Sequence, residues 1–150
     1  MAKNMLNTGF RKLDVDAFAE DQYREDDDVE TPGLGPDENE VTKLLQSNRL
    51  QDALHVALKC PPLKTKNQAI KDKATALVVR VLCSFKQSDI EAAAQSLSRE
   101  ELDLLMKYVY KGFEQPKDHN CASLLAWHDK LHAIGGNGTI VRVFTDIRHL

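Results

Sequence analysis

Cysteine is scarce in this chain: three in 150 residues, Cys60, Cys83 and Cys121, odd in number and widely spaced. That pattern excludes a disulfide-stapled scaffold and predicts reduced thiols in a cytosolic protein. No uncharged apolar run approaches the ~18 residues that a membrane span requires. The first ten residues lack an apolar stretch followed by a small-residue cleavage site, so no secretory leader is expected. Also missing are a nucleophile with a partnered base, a cluster of metal ligands and a glycine-rich phosphate loop, so catalysis is not expected and no cofactor is implied. No fixed period marks a repeat array. What remains is a length suited to one domain with a real core.

The net charge of −3 conceals a division. Residues 1–40 carry four bases and twelve acids, a net −8, whereas residues 41–150 carry sixteen bases and eleven acids, a net +5. An acidic segment on a mildly basic body points to protein partners, because nucleic acid and anionic lipid both repel it. Residues 1–36 are rich in acids from Asp14 to Glu30 and end in the breakers Pro32, Gly33, Gly35 and Pro36. They are expected to form an extended arm, disordered when free. Phe10, Leu13, Val15, Phe18 and Tyr23 are interleaved with the charges, so a solvated tail competes with a segment whose apolar anchors lie on another surface.

From Asp37 onward the apolar residues recur at helical spacing. Asp37 with Glu40 caps a helix bearing Val41, Leu44 and Leu45, and a second carries Leu50, Ala53, Leu54, Ala57 and Leu58 before Pro61 and Pro62. Thr65 with Gln68 reads as the capping box of a central helix reaching Phe85, in which nine of the twelve residues from Ala74 are apolar. Ser88 with Glu91 and Ser98 with Glu101 open two more helices, the latter expected to end in a left-handed Gly112. A further helix over 120–134 should stop at Gly135 and Gly136. The final run of Ile140, Val141, Val143, Phe144 and Ile147 reads as a helix for want of a strand to pair with. The sum is an all-α fold: an irregular bundle of about seven short helices around a central one, forming a single domain over 37–150.

Few residues suggest a site. His128 and His132 lie four apart on one helix face, as metal ligands do, but no third ligand accompanies them. A small metal-binding enzyme built on that pair is the rival reading, and a free-standing helical adaptor another. Cys83, in the most apolar helix, should be buried and inert. Lys66, Lys73 and Arg80 recur every seven residues, either as the solvated edge of the central helix or as a basic, partner-binding seam for an acidic partner segment.

The run Asp103-Leu-Leu-Met-Lys-Tyr-Val-Tyr-Lys-Gly-Phe-Glu114 resembles the family of the 16-kilodalton subunit (subunit 5) of the actin-related protein 2/3 complex. So do Phe10-Arg-Lys-Leu-Asp-Val-Asp16, Gly35-Pro-Asp37, Thr65-Lys66, Gln68-Ala69, Lys71-Asp72, Ser84-Phe-Lys86, Gln95-Ser-Leu97, Trp127-His128 and Ile140-Val-Arg-Val143, in order and over nearly the full length. The likeness lapses in the linker from Tyr23 to Leu34 and at Phe144 to Leu150, which lacks the family's basic ending. The resemblance implies a non-enzymatic cytoplasmic scaffold subunit of the cytoskeletal complex that nucleates branched actin filaments, touching filaments indirectly. It implies a body docked on the 20-kilodalton and propeller subunits, and an arm tethering actin-related protein 2. Carried over by position, Phe10 to Asp16 would be the tethering motif, with Phe10, Leu13 and Val15 as buried anchors and Arg11, Lys12, Asp14 and Asp16 setting its register; Phe18 is a further partner-binding candidate of the arm.

Overall fold

The computed structural model describes residues 35–63, 65–115, 120–146 and 150. The helical periodicity of the sequence becomes α1 (Glu38–Gln46), α2 (Leu50–Lys59), α3 (Gln68–Ser84), α4 (Gln87–Gln95), α5 (Arg99–Phe113) and α6 (Cys121–Thr145). Among the described residues there is no strand, and the fold is all-α as expected. The expected arm over 1–36 lies almost wholly outside the described residues.

Helix starts follow side-chain chemistry. Asp37 accepts from the amides of Asn39 and Glu40, which satisfies donors that α1 cannot pair internally. Asn48, at φ 58°, turns the chain out of α1 in the left-handed conformation that asparagine tolerates. Ser98 and Glu101 form the expected capping box of α5, with the Ser98 amide donating to the Glu101 carboxylate at 2.8 Å.

Two other starts differ from expectation. Asn67, rather than Thr65, caps α3 by accepting from the Ala69 amide; Thr65 accepts from the Asn67 amide and shapes the approach. Gln68 donates to Asp72 instead of closing a box. In α4 the helix begins at Gln87, so Ser88 lies inside it and donates to Asp89.

Seven expected segments become six helices because the last two join end to end. Gly136 interrupts α6 with φ 66° and ψ −172°, a backbone that only glycine adopts without strain. The break sits where Gly135 and Gly136 were expected to end a helix, and the ambiguous run after it is helical at Ile140, Val141, Val143 and Phe144, while Ile147 lies outside the described residues. Gly112 behaves otherwise: it is buried within α5, and a Cβ there would lie 2.9 Å from Leu124 Cδ1 and 3.3 Å from Val79 Cγ2. Its smallness lets α5 approach both α3 and α6.

The core expected around α3 is present. Leu77, Val78, Val79, Val81 and Leu82 are buried, and α3 packs on α1, α2, α5 and α6. The most extensive pairing, however, is α5 with α6. Each buried Leu or Val side chain contributes about 1.5–3 kcal/mol by leaving water. Cys83 departs from the expected burial: it projects into solvent from the outer edge of α3. In α5, Tyr108 is fully buried with its hydroxyl unpaired among the described residues, and burial pushes its ionisation well above the usual tyrosine range.

Two outcomes follow for stability. Gly112→Val should cost about 1–3 kcal/mol in urea unfolding through overpacking against Leu124 and Val79. Gly112→Ala should be milder, because a helix-propensity gain of about 1 kcal/mol opposes a smaller clash. At Glu101 burial alone would raise the carboxyl, but hydrogen bonds from the His55 ring and from Ser98 outweigh it and hold the group below its ordinary value. A depressed carboxylate stabilises fully above its unfolded pKa of about 4.3 and loses that contribution as pH falls through the folded value. Glu101→Ala should therefore lose about 1 kcal/mol at neutral pH, with the deficit shrinking below about pH 4. Unfolding curves at the two pH values check the sign.

Candidate functional site

Placing the sequence-derived candidates in the fold separates them. The arm residues Phe10, Arg11, Lys12, Leu13, Asp14, Val15, Asp16 and Phe18 lie outside the described residues. Lys73 and Arg80 project from the exposed edge of α3, whereas Lys66 is exposed but precedes the helix, so the seven-residue spacing makes a helical pair rather than a triad. Lys73 and Arg80 border a solvent-open groove of about 530 Å³ that runs to Gly35 and Glu38 at the entry of the chain into α1.

His128 and His132 do lie together, with nearly parallel rings whose centroids are 6.3 Å apart. Their nitrogens are otherwise engaged: His128 Nε2 is 3.2 Å from the Tyr110 hydroxyl and His132 Nε2 is 2.8 Å from Asn137 Oδ1. Among the described residues no three His, Cys, Asp or Glu side chains converge as a metal would need. The pair belongs to an aromatic cluster instead. Tyr110 meets Phe113, His128 and Phe144 edge to face, at centroid distances of 6.1, 5.5 and 5.1 Å.

Periodicity alone did not reveal the outward face of α6. Among the described residues the large apolar side chains that stand exposed are Leu125 at 59 %, Ile134 at 42 %, Val141 at 55 % and Phe144 at 66 %, all on that helix. Beyond Gly136, Thr139, Ile140 and Val143 turn toward the body, which leaves Val141 open to solvent and Phe144 largely exposed with its ring against Tyr110. This orientation is clamped electrostatically. Arg142 grips Asp103 of α5 with two hydrogen bonds, at 2.6 and 2.8 Å, and Lys107 pairs with Asp146. The Asp103 hydrogen bond also favours the charged guanidinium further. One signal was available in the sequence: the final run has more apolar residues than one buried helix face can hold.

Beside Phe144 lies an open groove of about 560 Å³ bounded by Tyr110, Phe113, Val143 and Leu150, with Lys107, Lys111 and Glu114 at its rim. An apolar centre with a charged rim is the anatomy of a protein-binding surface. Nothing in it positions a nucleophile and base for chemistry. Among the described residues no helix is long and apolar enough to cross a membrane.

Residues 9–150 match the family described as the ARP2/3 complex 16 kDa subunit (p16-Arc). Actin-related protein 2/3 complex subunit 5-C of Xenopus laevis is 48% identical over 145 residues, covering 97% of each chain. The human subunit 5-like protein is 46% identical over 148 residues, again covering 97% of each. A probable subunit 5 of Caenorhabditis elegans is 41% identical over 147 residues, spanning 97% of this chain and 100% of its own. With family match and identity running from the arm motif through α6, this chain belongs to the 16 kDa subunit (p16-Arc) family of the ARP2/3 complex.

Proposed function

We propose that the chain is a non-catalytic structural subunit that contributes to nucleation of branched actin filaments in the cytoplasm. Its body docks on the 20-kilodalton and propeller subunits, and its arm tethers actin-related protein 2. The observation that carries this reading is the exposure of Val141 and Phe144 beyond Gly136, on a stretch of α6 tied to α5 by Arg142–Asp103 and Lys107–Asp146. Large apolar side chains exposed beside an apolar groove are the kind of surface that a partner covers. Phe10, Leu13, Val15 and Phe18 supply the anchors of the tether, and the charges between them discriminate against wrong partners. Ordering such an arm on binding costs conformational entropy, which keeps the contact adjustable.

Two variant pairs test the division of labour. Recovered from cytosol as a tagged full chain, Phe10→Ala with Leu13→Ala should retain the 20-kilodalton and propeller subunits. It should lose actin-related protein 2 by about tenfold or more, since buried anchors carry about 1–2 kcal/mol or more each. Loss of every subunit, or of none, would contradict the tether. Val141→Asp with Phe144→Asp should do the reverse: the chain stays helical by circular dichroism, because both side chains are exposed, yet fails to enter the complex. Normal incorporation of that variant would place the docking face elsewhere.

A further inference from the structure

The groove along α3 carries an inference of its own, independent of the docking reading. Its floor is apolar, with Ile70 and Ala76 among its lining, and its basic edge is Lys73 and Arg80, set two helical turns apart. Neither cation has a carboxylate partner among the described residues, whereas several other bases in the body do: Arg49 with Asp52, Lys111 with Glu114, Lys130 with Glu91, and Arg142 with Asp103. Among the described residues Glu38 is the one acid that lines the groove, at its α1 end.

The chain itself delivers the complement. Gly35 forms one end of the groove, and a Cβ built on it would sit 3.9 Å from Ile70. Immediately upstream, residues 20–30 contain seven acids and one base, a net −6, with Asp26, Asp27 and Asp28 consecutive. From Ile70 to Arg80 the helix rises about 15 Å. The seven residues from Asp28 to Gly35 span up to about 23 Å when extended. Asp26, Asp27 and Asp28 are therefore within reach of both Lys73 and Arg80 without any rearrangement of the body.

We infer that the groove between Gly35 and Arg80 is the seat of the chain's own acidic stretch, residues 20–30. Ion pairs between exposed groups are individually weak, but a short tether raises the local concentration of the acids to the order of millimolar and makes them sufficient together. Seating this stretch fixes the direction in which the anchors Phe10 to Phe18 leave the body, so less ordering entropy is lost when they bind a partner. It also closes the seam to acidic segments of other proteins.

The test uses the nitrogen-15-labelled full chain and the variant Asp26→Asn, Asp27→Asn, Asp28→Asn. At about 0.1 M sodium chloride the amide resonances of Lys73, Ala76 and Arg80 should differ between the two, while those of Val141 and Phe144 coincide. At about 1 M, where the Debye length falls from about 10 to about 3 Å, the difference should vanish. Lys73→Glu with Arg80→Glu should release the stretch in the same way, and adding Asp26→Lys, Asp27→Lys and Asp28→Lys should restore it. Both reversed bases are exposed, so folding is not at stake. Coincident α3 resonances at low salt would overturn the inference. So would shifts that appear only when a separate acidic peptide is added, which would assign the seam to a partner.

Discussion

The bundle depends on one hydrogen bond across its centre. Trp127 of α6 is fully buried, and its indole N–H donates to the carbonyl of Leu82 at 3.1 Å. Leu82 lies in the last turn of α3, and its carbonyl accepts both the Phe85 amide that caps the helix, at 3.3 Å, and the indole, so one helix-end oxygen ties the end of α3 to α6. Phe85, one residue past α3, meets the same indole edge to face at 5.2 Å. A buried indole without that carbonyl would bear the desolvation cost of an unmet donor, so the depth and rotation of α6 are set by the end of α3. Gly112 and Leu124 complete the constraint by allowing α5 to close on the same helix.

From that anchorage the interaction face follows. With the first part of α6 committed to the core through Leu124, Trp127 and Leu131, the second part is redirected at Gly136 and drawn onto α5 by Arg142 and Lys107. The ion pairs do more for orientation than for stability, since exposed or half-exposed pairs contribute little net energy. They determine which side of an apolar helix faces water. Val141 and Phe144 are consequently presented beside the aromatic cluster of α5, and the histidines join that cluster through Tyr110.

Much of this was legible in the residues. Helix order, the Asp37 and Ser98 caps, the break at Gly136 and the buried α3 stripe all derive from interactions within a few positions along the chain, which periodicity and capping rules capture. The misplacements were also local. Several small polar residues clustered before α3 and α4, and the structure chose Asn67 over Thr65 and Gln87 over a Ser88 start. Gly112 shows a different limit. A glycine near a helix end resembles a terminator, and only the presence of Leu124 and Val79 against it reveals a contact glycine. Cys83 belongs with it: an apolar neighbourhood in sequence did not mean burial, because among the described residues no other helix covers that edge of α3.

The amino-acid order alone determined the helical character of the described residues, the acidic balance of residues 1–40, the mildly basic balance of the rest and the family motifs, since these are matters of composition, spacing and neighbouring side chains. Only the tertiary structure decided which apolar residues stand outside. Burial is a property of pairs of helices, and whether Val141 faces core or solvent is settled by the Gly136 backbone, the Asp103 carboxylate and the Trp127 anchor, residues up to thirty-eight positions away. The same reason places Gly35 at the foot of Lys73 and Arg80, a juxtaposition that no local pattern along the chain contains.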